Sequence, residues 1–119
     1  MIEVNIEKTD DYIYITYKGE YKGELEALQL DKLLDTCKQH SCSKMLVDII
    51  GCSLNVSELD RYRFAKEVAK FFSMQNQVNI AFFVTPDQYD KFIETMAQNR
   101  GVNCKIFTNK TESINWLKS

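Results

Sequence analysis

The chain has 119 residues, 45% of them hydrophobic and 27% charged, which is typical of one globular domain spanning residues 1–119. Its 15 basic and 17 acidic side chains give a formal net charge of -2, which argues against the broad basic surface of a nucleic-acid-binding protein. No apolar run approaches the roughly 20 residues that span a bilayer. The four cysteines form no CxxC pair, so we expect reduced thiols and a cytoplasmic protein.

The N-terminal segment predicts an antiparallel β-hairpin followed by a helix. Apolar and polar residues alternate over residues 2–7 and 12–17, the period of half-buried strands, and the polar residues 9–11 between them predict a tight turn. After Gly19 the period changes to that of an amphipathic helix. Its apolar face carries Leu25, Leu28, Leu33, Leu34 and Cys37.

Three further strand–helix units follow. The nearly continuous apolar run over residues 45–50 predicts a strand buried on both faces, residues 78–84 predict the next buried strand, and residues 102–107 predict the last strand. Helices are predicted from Ser57 to about residue 74, from a cap at Thr85 to a stop at Gly101, and after a cap at Asn109. The expected inward residues of the first two are Tyr62, Ala65, Val68, Ala69, Phe72, Tyr89, Phe92, Ile93, Met96 and Ala97. The order predicts an α/β fold with a mixed five-stranded sheet and about four helices.

Several short motifs are similar to those of the anti-sigma-factor-antagonist (STAS) fold. They are Gly19-Glu20, Leu46-Val47-Asp48, Ser57, Asp60-Arg61, Asn99-Arg100-Gly101, Ile106-Phe107-Thr108 and Trp116-Leu117. Over essentially the whole chain they resemble small SpoIIAA-like, STAS-like bacterial proteins of uncertain function. The resemblance implies a non-catalytic regulatory or protein-interaction module without a cofactor, acting through the second helix and its preceding loop.

Ser57 has two interpretations. In the regulatory branch of the family that the chain resembles, a serine in an Asp-Ser-Ser-Gly stretch at this helix start is phosphorylated. Ser57 matches the first serine, whereas Glu58 occupies the position that is usually phosphorylated. Ser57 is therefore either a phosphate acceptor or simply the helix N-cap with Asp60 three residues on, and the residue pattern favours the cap.

Two features suggest a binding surface. Phe64 and Phe71 lie seven residues apart and widen the apolar arc of the second helix, which would mark a partner or homodimer surface. Asn99-Arg100 is either a helix C-terminus, with Arg100 paired to Asp60, or part of a ligand site. The candidate partner- or ligand-binding residues are Glu58, Asp60, Arg61, Phe64, Phe71, Asn99 and Arg100.

The alternative function is that of a carrier, which resembles a role suggested for some relatives of the fold. A small nonpolar molecule would lie between sheet and helices, although a packed core uses the same residue types. The candidate lining is Phe71, Phe72, Met74, Phe82, Phe83, Phe92 and Met96.

No metal site and no catalytic set are expected. The spacing of Cys37, His40, Cys42 and Cys52 matches no standard zinc motif. His40 is the only histidine and lies at the far end of its helix from any capping serine, so a serine–histidine relay is not expected. A lone carboxylate, Asp48 or Asp60, stays open as a reactive group.

Overall fold

Five strands form one mixed sheet in the order β1-β2-β3-β4-β5. In a computed structural model that describes residues 2–54, 57–73 and 78–119, β1 pairs antiparallel with β2 and all later pairs are parallel. The strands are β1 Ile2–Lys8, β2 Ile13–Tyr21, β3 Lys44–Leu54, β4 Asn79–Phe83 and β5 Asn103–Phe107. The predicted hairpin, strand order and mixed sheet are confirmed.

Helices cover both faces of this sheet unequally. They are α1 Leu30–Gln39, α2 Glu58–Ser73, α3 Lys91–Asn99 and α4 Lys110–Lys118. One core cluster joins Leu33 of α1 and Ala69 of α2 to the sheet, and Ala97 of α3 packs against it, whereas Leu117 of α4 packs with Leu46 in a second cluster. From β2 to β5, each parallel strand lies beside the one before it, always on the same side. Right-handed crossovers therefore place α1, α2 and α3 on the same face of the sheet.

The first helical segment is split where one helix was predicted. A 3-10 helix, Leu25–Leu28, precedes α1, and Gln29 between them adopts a left-handed conformation with φ 53°. Leu28, Leu33 and Cys37 are nevertheless buried as predicted, because the break keeps both pieces against the same core. The side chain of Leu25 lies outside the described part of the chain.

Helix α3 begins at Lys91 and not, as predicted, directly after Thr85. Thr85 and Gln88 do exchange the two bonds of a capping box, since Gln88 N donates to Thr85 Oγ1 (3.2 Å) and Thr85 N donates to Gln88 Oε1 (2.8 Å). The turn ends there because Asp90 is extended and caps α3 itself, accepting from the backbone N–H of Phe92 at 3.0 Å. Gly101, with φ 89°, ends the helix as predicted.

Three aromatic residues that were predicted to be inward are exposed, and one of them, Tyr89, is 39% exposed in the turn just before α3. Tyr62 is 36% and Phe92 63% exposed, and their ring centroids lie 5.9 Å apart. Both lie near the starts of their helices, at the edge of the sheet where the parallel strands end, so the core does not reach them. Within the described residues, no helix is both long and apolar enough to cross a membrane.

Candidate functional site

A cavity of about 430 Å³ lies between the sheet and the layer formed by α1, α2 and α3. The strands contribute Tyr17, Tyr21, Val47, Phe82 and Ile106, and the helices contribute Phe64, Val68, Phe72, Ile93 and Ala97. Native cores are close-packed, so a void of this size needs a cause. Small side chains on the inward faces of α2 and α3, among them Ala65 and Ala69, leave the space above the strands unfilled.

The mouth of the cavity lies at the edge of the sheet where the parallel strands end. Ser53, at the end of β3, and Asp87, in the loop after β4, are the lining residues exposed to solvent among those described. Arg61 and Asp90 lie on the same rim, and the Arg61 Nη2 donates to the backbone carbonyl of Gln88 at 3.1 Å. A polar rim around an apolar interior is the general form of a small-molecule site.

Gln88 fastens this rim to the sheet. Its Nε2 donates to the backbone carbonyls of Ile49 (2.9 Å) and Cys52 (2.8 Å) at the end of β3. Its Oε1 accepts the backbone N–H of Thr85, while its own carbonyl accepts from Arg61. The side chain of Gln88 therefore joins β3 to the loop after β4, and its backbone carbonyl adds α2 through Arg61. Its position three residues after Thr85 predicts a capping box but not these bonds to β3.

Two tyrosines of β2 line the cavity and differ in how their hydroxyls are satisfied. The Tyr17 hydroxyl donates to the carbonyl of Leu28 at 2.6 Å, and burial, followed by the nearby Cys52 thiol, raises its pKa. The Tyr21 hydroxyl is buried without a hydrogen-bond partner among the described residues, and its ring packs on Phe64 with centroids 4.8 Å apart.

Glu94 of α3 is a buried carboxylate in the cavity wall with both oxygens occupied. Its Oε1 accepts from Lys91 Nζ at 2.8 Å and its Oε2 from the backbone N–H of Ile106 at 2.7 Å. Gln98, one turn later, donates to the carbonyl of Cys104 at 2.9 Å. Because β5 is an edge strand, these two side chains satisfy backbone groups that no strand pairs with.

The start of α2 matches the helix cap predicted for Ser57. Its Oγ accepts the backbone N–H of Asp60 at 3.1 Å, and its carbonyl accepts that of Arg61 at 2.9 Å. Glu58 is exposed in the first turn. Asn55 and Val56 of the preceding loop lie outside the described residues, and phosphorylation of Ser57 stays a prediction.

The Asp60-Arg61 and Asn99-Arg100 motifs, both predicted to contribute to binding, lie at opposite edges of the sheet. Helix α2 begins at the edge where the parallel strands end, whereas α3 ends at the edge where β5 begins, because each connection crosses the full length of the sheet. In the described chain, Asp60 pairs with Arg63 at 3.8 Å and no Asp60–Arg100 bridge is present. Asn99 and Arg100 form the C-terminus of α3, away from the mouth of the cavity.

The apolar arc predicted around Phe64 and Phe71 is only partly exposed. Phe64 is half-buried in the cavity wall, and Phe71 is half-buried with its ring edge-on to Phe72, centroids 5.5 Å apart. The exposed large apolar side chains on the cavity side of the fold instead cluster near its mouth. We call them the rim patch: Leu59, Tyr62, Tyr89 and Phe92.

The predicted cavity lining is correct for part of its residues. Phe72 and Phe82 line the cavity. Phe83 packs on the opposite face against α4, because neighbouring strand residues point to opposite faces, and Phe92 is exposed. Phe71 and Met96 are not among the described lining residues, and Met74 lies outside the described chain.

The remaining polar candidates have structural environments. Cys37 is buried in the core, where burial and the nearby Cys42 raise its pKa to about 11. Asp48 is buried and accepts from the Tyr14 hydroxyl (2.6 Å) and the Ile50 N–H (3.1 Å). Among the residues described, no group of three or more histidine, cysteine or acidic side chains is placed to hold a metal ion.

Comparison with solved structures identifies the architecture. No protein-family model matches the sequence, and no significant match is found among curated proteins. An anti-sigma factor antagonist from Mycobacterium paratuberculosis superposes with a TM-score of 0.65 at 9% identity, over 100% of this chain and 96% of that one. The chain has a STAS-like fold. An uncharacterised protein from Shewanella loihica with a SpoIIAA-like fold is also similar, with a TM-score of 0.56 at 18% identity over 98% of this chain and 93% of that one.

The STAS-like fold predicted from the short motifs is thus confirmed for this chain. At these identities the likeness concerns the fold alone. In this chain, the cavity lies beneath α2, the helix on which the sequence resemblance placed the functional surface.

Proposed function

We propose that this STAS-like protein is a non-catalytic, cytoplasmic binding module that takes one small nonpolar molecule into the cavity beneath α2. The observation that carries the proposal is the cavity of about 430 Å³ with an almost wholly apolar wall and a polar mouth at Ser53 and Asp87. Removal of apolar ligand surface from water supplies the driving force. Arg61 and Phe64 are the predicted site residues that contribute to the wall.

The environments of the buried ionisable groups in the described wall support a non-catalytic role. Both oxygens of the buried Glu94 carboxylate are bonded within the protein. Burial raises the pKa of the Cys52 thiol, and burial with the nearby Glu94 raises that of Cys104 to about 11, so both wall thiols are poor nucleophiles near neutral pH. A wall of this kind binds and shields a molecule without activating it.

The expected affinity follows from the size of the ligand. A molecule of about eleven heavy atoms that contributes roughly 0.6 kcal/mol per atom binds with a dissociation constant on the order of 10 µM. This affinity suits a ligand that is taken up and released, as a carrier or a sensor requires.

The test is a titration with N-phenyl-1-naphthylamine, a neutral dye whose fluorescence rises in apolar surroundings. We expect saturable one-to-one binding to the native protein and at least tenfold weaker binding to Ala65→Leu, because the added carbons occupy the cavity. Lys66→Leu is the control, since it adds an apolar side chain at an exposed position of the same helix. Equal binding by all three proteins would contradict the proposal.

A second candidate function is regulation through a protein partner, and the rim patch favours it. Tyr62 and Phe92 are exposed and in ring contact, with Leu59 one turn before Tyr62 and Tyr89 just before α3. Exposed aromatic clusters of this kind are typical of protein interfaces. The similarity to an anti-sigma factor antagonist supports a protein partner for this surface.

Two measurements separate the partners that this surface could have. Sedimentation equilibrium of the native protein and of Phe92→Ser tests the predicted homodimer, which should dissociate in the variant. A protein from the host that is captured by the native chain and by Lys66→Leu but not by Phe92→Ser supports a separate partner. If Phe92→Ser captures the same host protein and has the same molecular mass in solution as the native protein, the rim patch is excluded as a partner surface.

Phosphorylation of Ser57 would add negative charge beside the rim patch, at the positive end of α2. Intact mass of the protein treated with host lysate and ATP tests this prediction. A mass increase of one phosphate that is lost in Ser57→Ala supports the switch, and an unchanged mass argues against it.

A further inference from the structure

The cavity wall contains a buried hydroxyl that the described residues leave unsatisfied. Tyr21 is 1% exposed and lines the cavity, and its hydroxyl has no hydrogen-bond partner among the described residues. Its ring is held between β2 and α2 by packing on Phe64, so the side chain cannot turn to solvent without breaking that contact. A buried hydroxyl without a partner is unfavourable and rare in native proteins.

Tyr17 shows that a tyrosine hydroxyl in this cavity wall can find a hydrogen-bond acceptor within the protein. It lies four residues earlier on β2, lines the same cavity and donates its hydroxyl proton to the carbonyl of Leu28 at 2.6 Å. Tyr21 has the same burial and the same strand, yet its hydroxyl lacks such an acceptor in the described chain. A hydrogen-bond acceptor on a molecule in the cavity would satisfy the Tyr21 hydroxyl.

Tyr21 is a donor at any ordinary pH. Burial, followed by the nearby carboxylates of Glu26 and Glu24, raises the pKa of its hydroxyl above the usual value. The proton therefore stays on the oxygen, and the group that pairs with it must be an acceptor.

The charges of the wall favour a neutral ligand. Among the described lining residues, Arg61 is the one cation, and it already donates to the backbone of Gln88. Asp87, Asp90 and Glu94 are acidic, so an anionic group would meet more negative than positive charge.

We propose that the ligand of this cavity is a neutral, mainly hydrocarbon molecule with one carbonyl or ether oxygen that accepts a hydrogen bond from the Tyr21 hydroxyl. This inference rests on the proposed function and specifies its ligand class. A pure hydrocarbon leaves the hydroxyl unpaired, whereas a molecule with an acceptor at that point gains one buried hydrogen bond. The wall thereby distinguishes between ligands of equal size and shape.

The test compares two ligands that differ in one group. Butylbenzene and butyrophenone share a carbon skeleton, and the ketone replaces one methylene by a carbonyl. Each is titrated against bound N-phenyl-1-naphthylamine in the native protein, in Tyr21→Phe and in Tyr17→Phe. We expect Tyr21→Phe to weaken the binding of butyrophenone about five- to tenfold and to change the affinity for butylbenzene less than twofold.

Tyr17→Phe is the matched control, because its hydroxyl is engaged by Leu28 and not by a ligand. It should change the affinity of both ligands by the same factor. If Tyr21→Phe also changes the affinities for the two ligands by the same factor, the inferred hydrogen bond does not form, while the cavity remains a ligand site. If neither ligand displaces the dye from the native protein, the proposed function itself fails.

A spectroscopic measurement keeps the test independent of the variant's folding. The carbonyl stretch of carbonyl-labelled butyrophenone bound to the native protein should lie at lower frequency than in cyclohexane, as hydrogen bonding requires. A bound frequency equal to that in cyclohexane would overturn the proposal.

Discussion

Among the glutamines of residues 2–54, 57–73 and 78–119, Gln88 should stabilise the fold most through its side chain. Replacing it by alanine removes three hydrogen bonds, two from Nε2 to the carbonyls of Ile49 and Cys52 and one from the Thr85 N–H to Oε1. These bonds join the end of β3 to the loop after β4. Gln88→Ala therefore removes the side-chain link between these two segments of the rim.

The magnitude follows from the number of bonds and their burial. Each hydrogen bond contributes about 0.5–1.5 kcal/mol net, and water reaches part of the exposed rim in the variant. We expect the free energy of unfolding to fall by about 2–3 kcal/mol. For a domain of this size, that corresponds to a melting temperature lower by roughly 8–12 °C.

Urea denaturation with an unchanged m-value is the appropriate assay. Gln98→Ala is the control, because its side chain makes a single bond, to the carbonyl of Cys104. The control should lose about 1 kcal/mol. A Gln88→Ala variant no less stable than the control would refute the assignment of Gln88 as the link between β3 and the rim.

Three further predictions concern the cap, the edge strand and the thiols. Ser57→Ala should lower the free energy of unfolding by about 1 kcal/mol in urea titrations, with Ser57→Asp close to the native value. Glu94→Ala should cost about 2–3 kcal/mol and promote aggregation in light scattering, because the Ile106 N–H loses its acceptor. Raised by burial to about 11, the pKa of Cys104 leaves roughly 0.1% thiolate at pH 8. Iodoacetamide labelling of Cys104, followed by mass spectrometry, should therefore be slow and accelerate up to about pH 11, and butyrophenone should protect Cys52 in the cavity wall.

The sheet could be predicted from the sequence because its strands carry two distinct patterns. Alternation marks β1 and β2 as a half-buried hairpin, while the mainly apolar runs of β3 and β4 mark strands covered on both faces. Both patterns depend on burial alone. The strand order then follows from short connections and right-handed crossovers.

The start of α3 was misplaced because two valid caps lie close together. Thr85 forms its capping box with Gln88, yet Asp90 also caps, and the longer helix follows the second. Local signals do not choose between them. The choice depends on the carbonyls of β3, which hold the Gln88 carboxamide and end the first turn.

From the sequence, the cavity could be placed between the sheet and the helices, but not assigned to one face of the sheet. Ala65, Ala69 and Ala97 read as ordinary core residues of two amphipathic helices. Whether a small side chain leaves a void depends on the volumes opposite it, and those are set by the distance between helix and sheet. For the same reason Phe64 was predicted on the surface, although the ring of Tyr21 covers it.

Methyl chemical shifts during a butyrophenone titration test the central claim most directly, because the two faces of the sheet serve as site and control. Leu33, Val68 and Ile93 line the cavity, whereas Leu46 and Leu117 pack on the opposite face under α4. The cavity model predicts saturable shifts at the first three and none at the last two. Shifts of equal size on both faces, or none at the cavity residues, would contradict it.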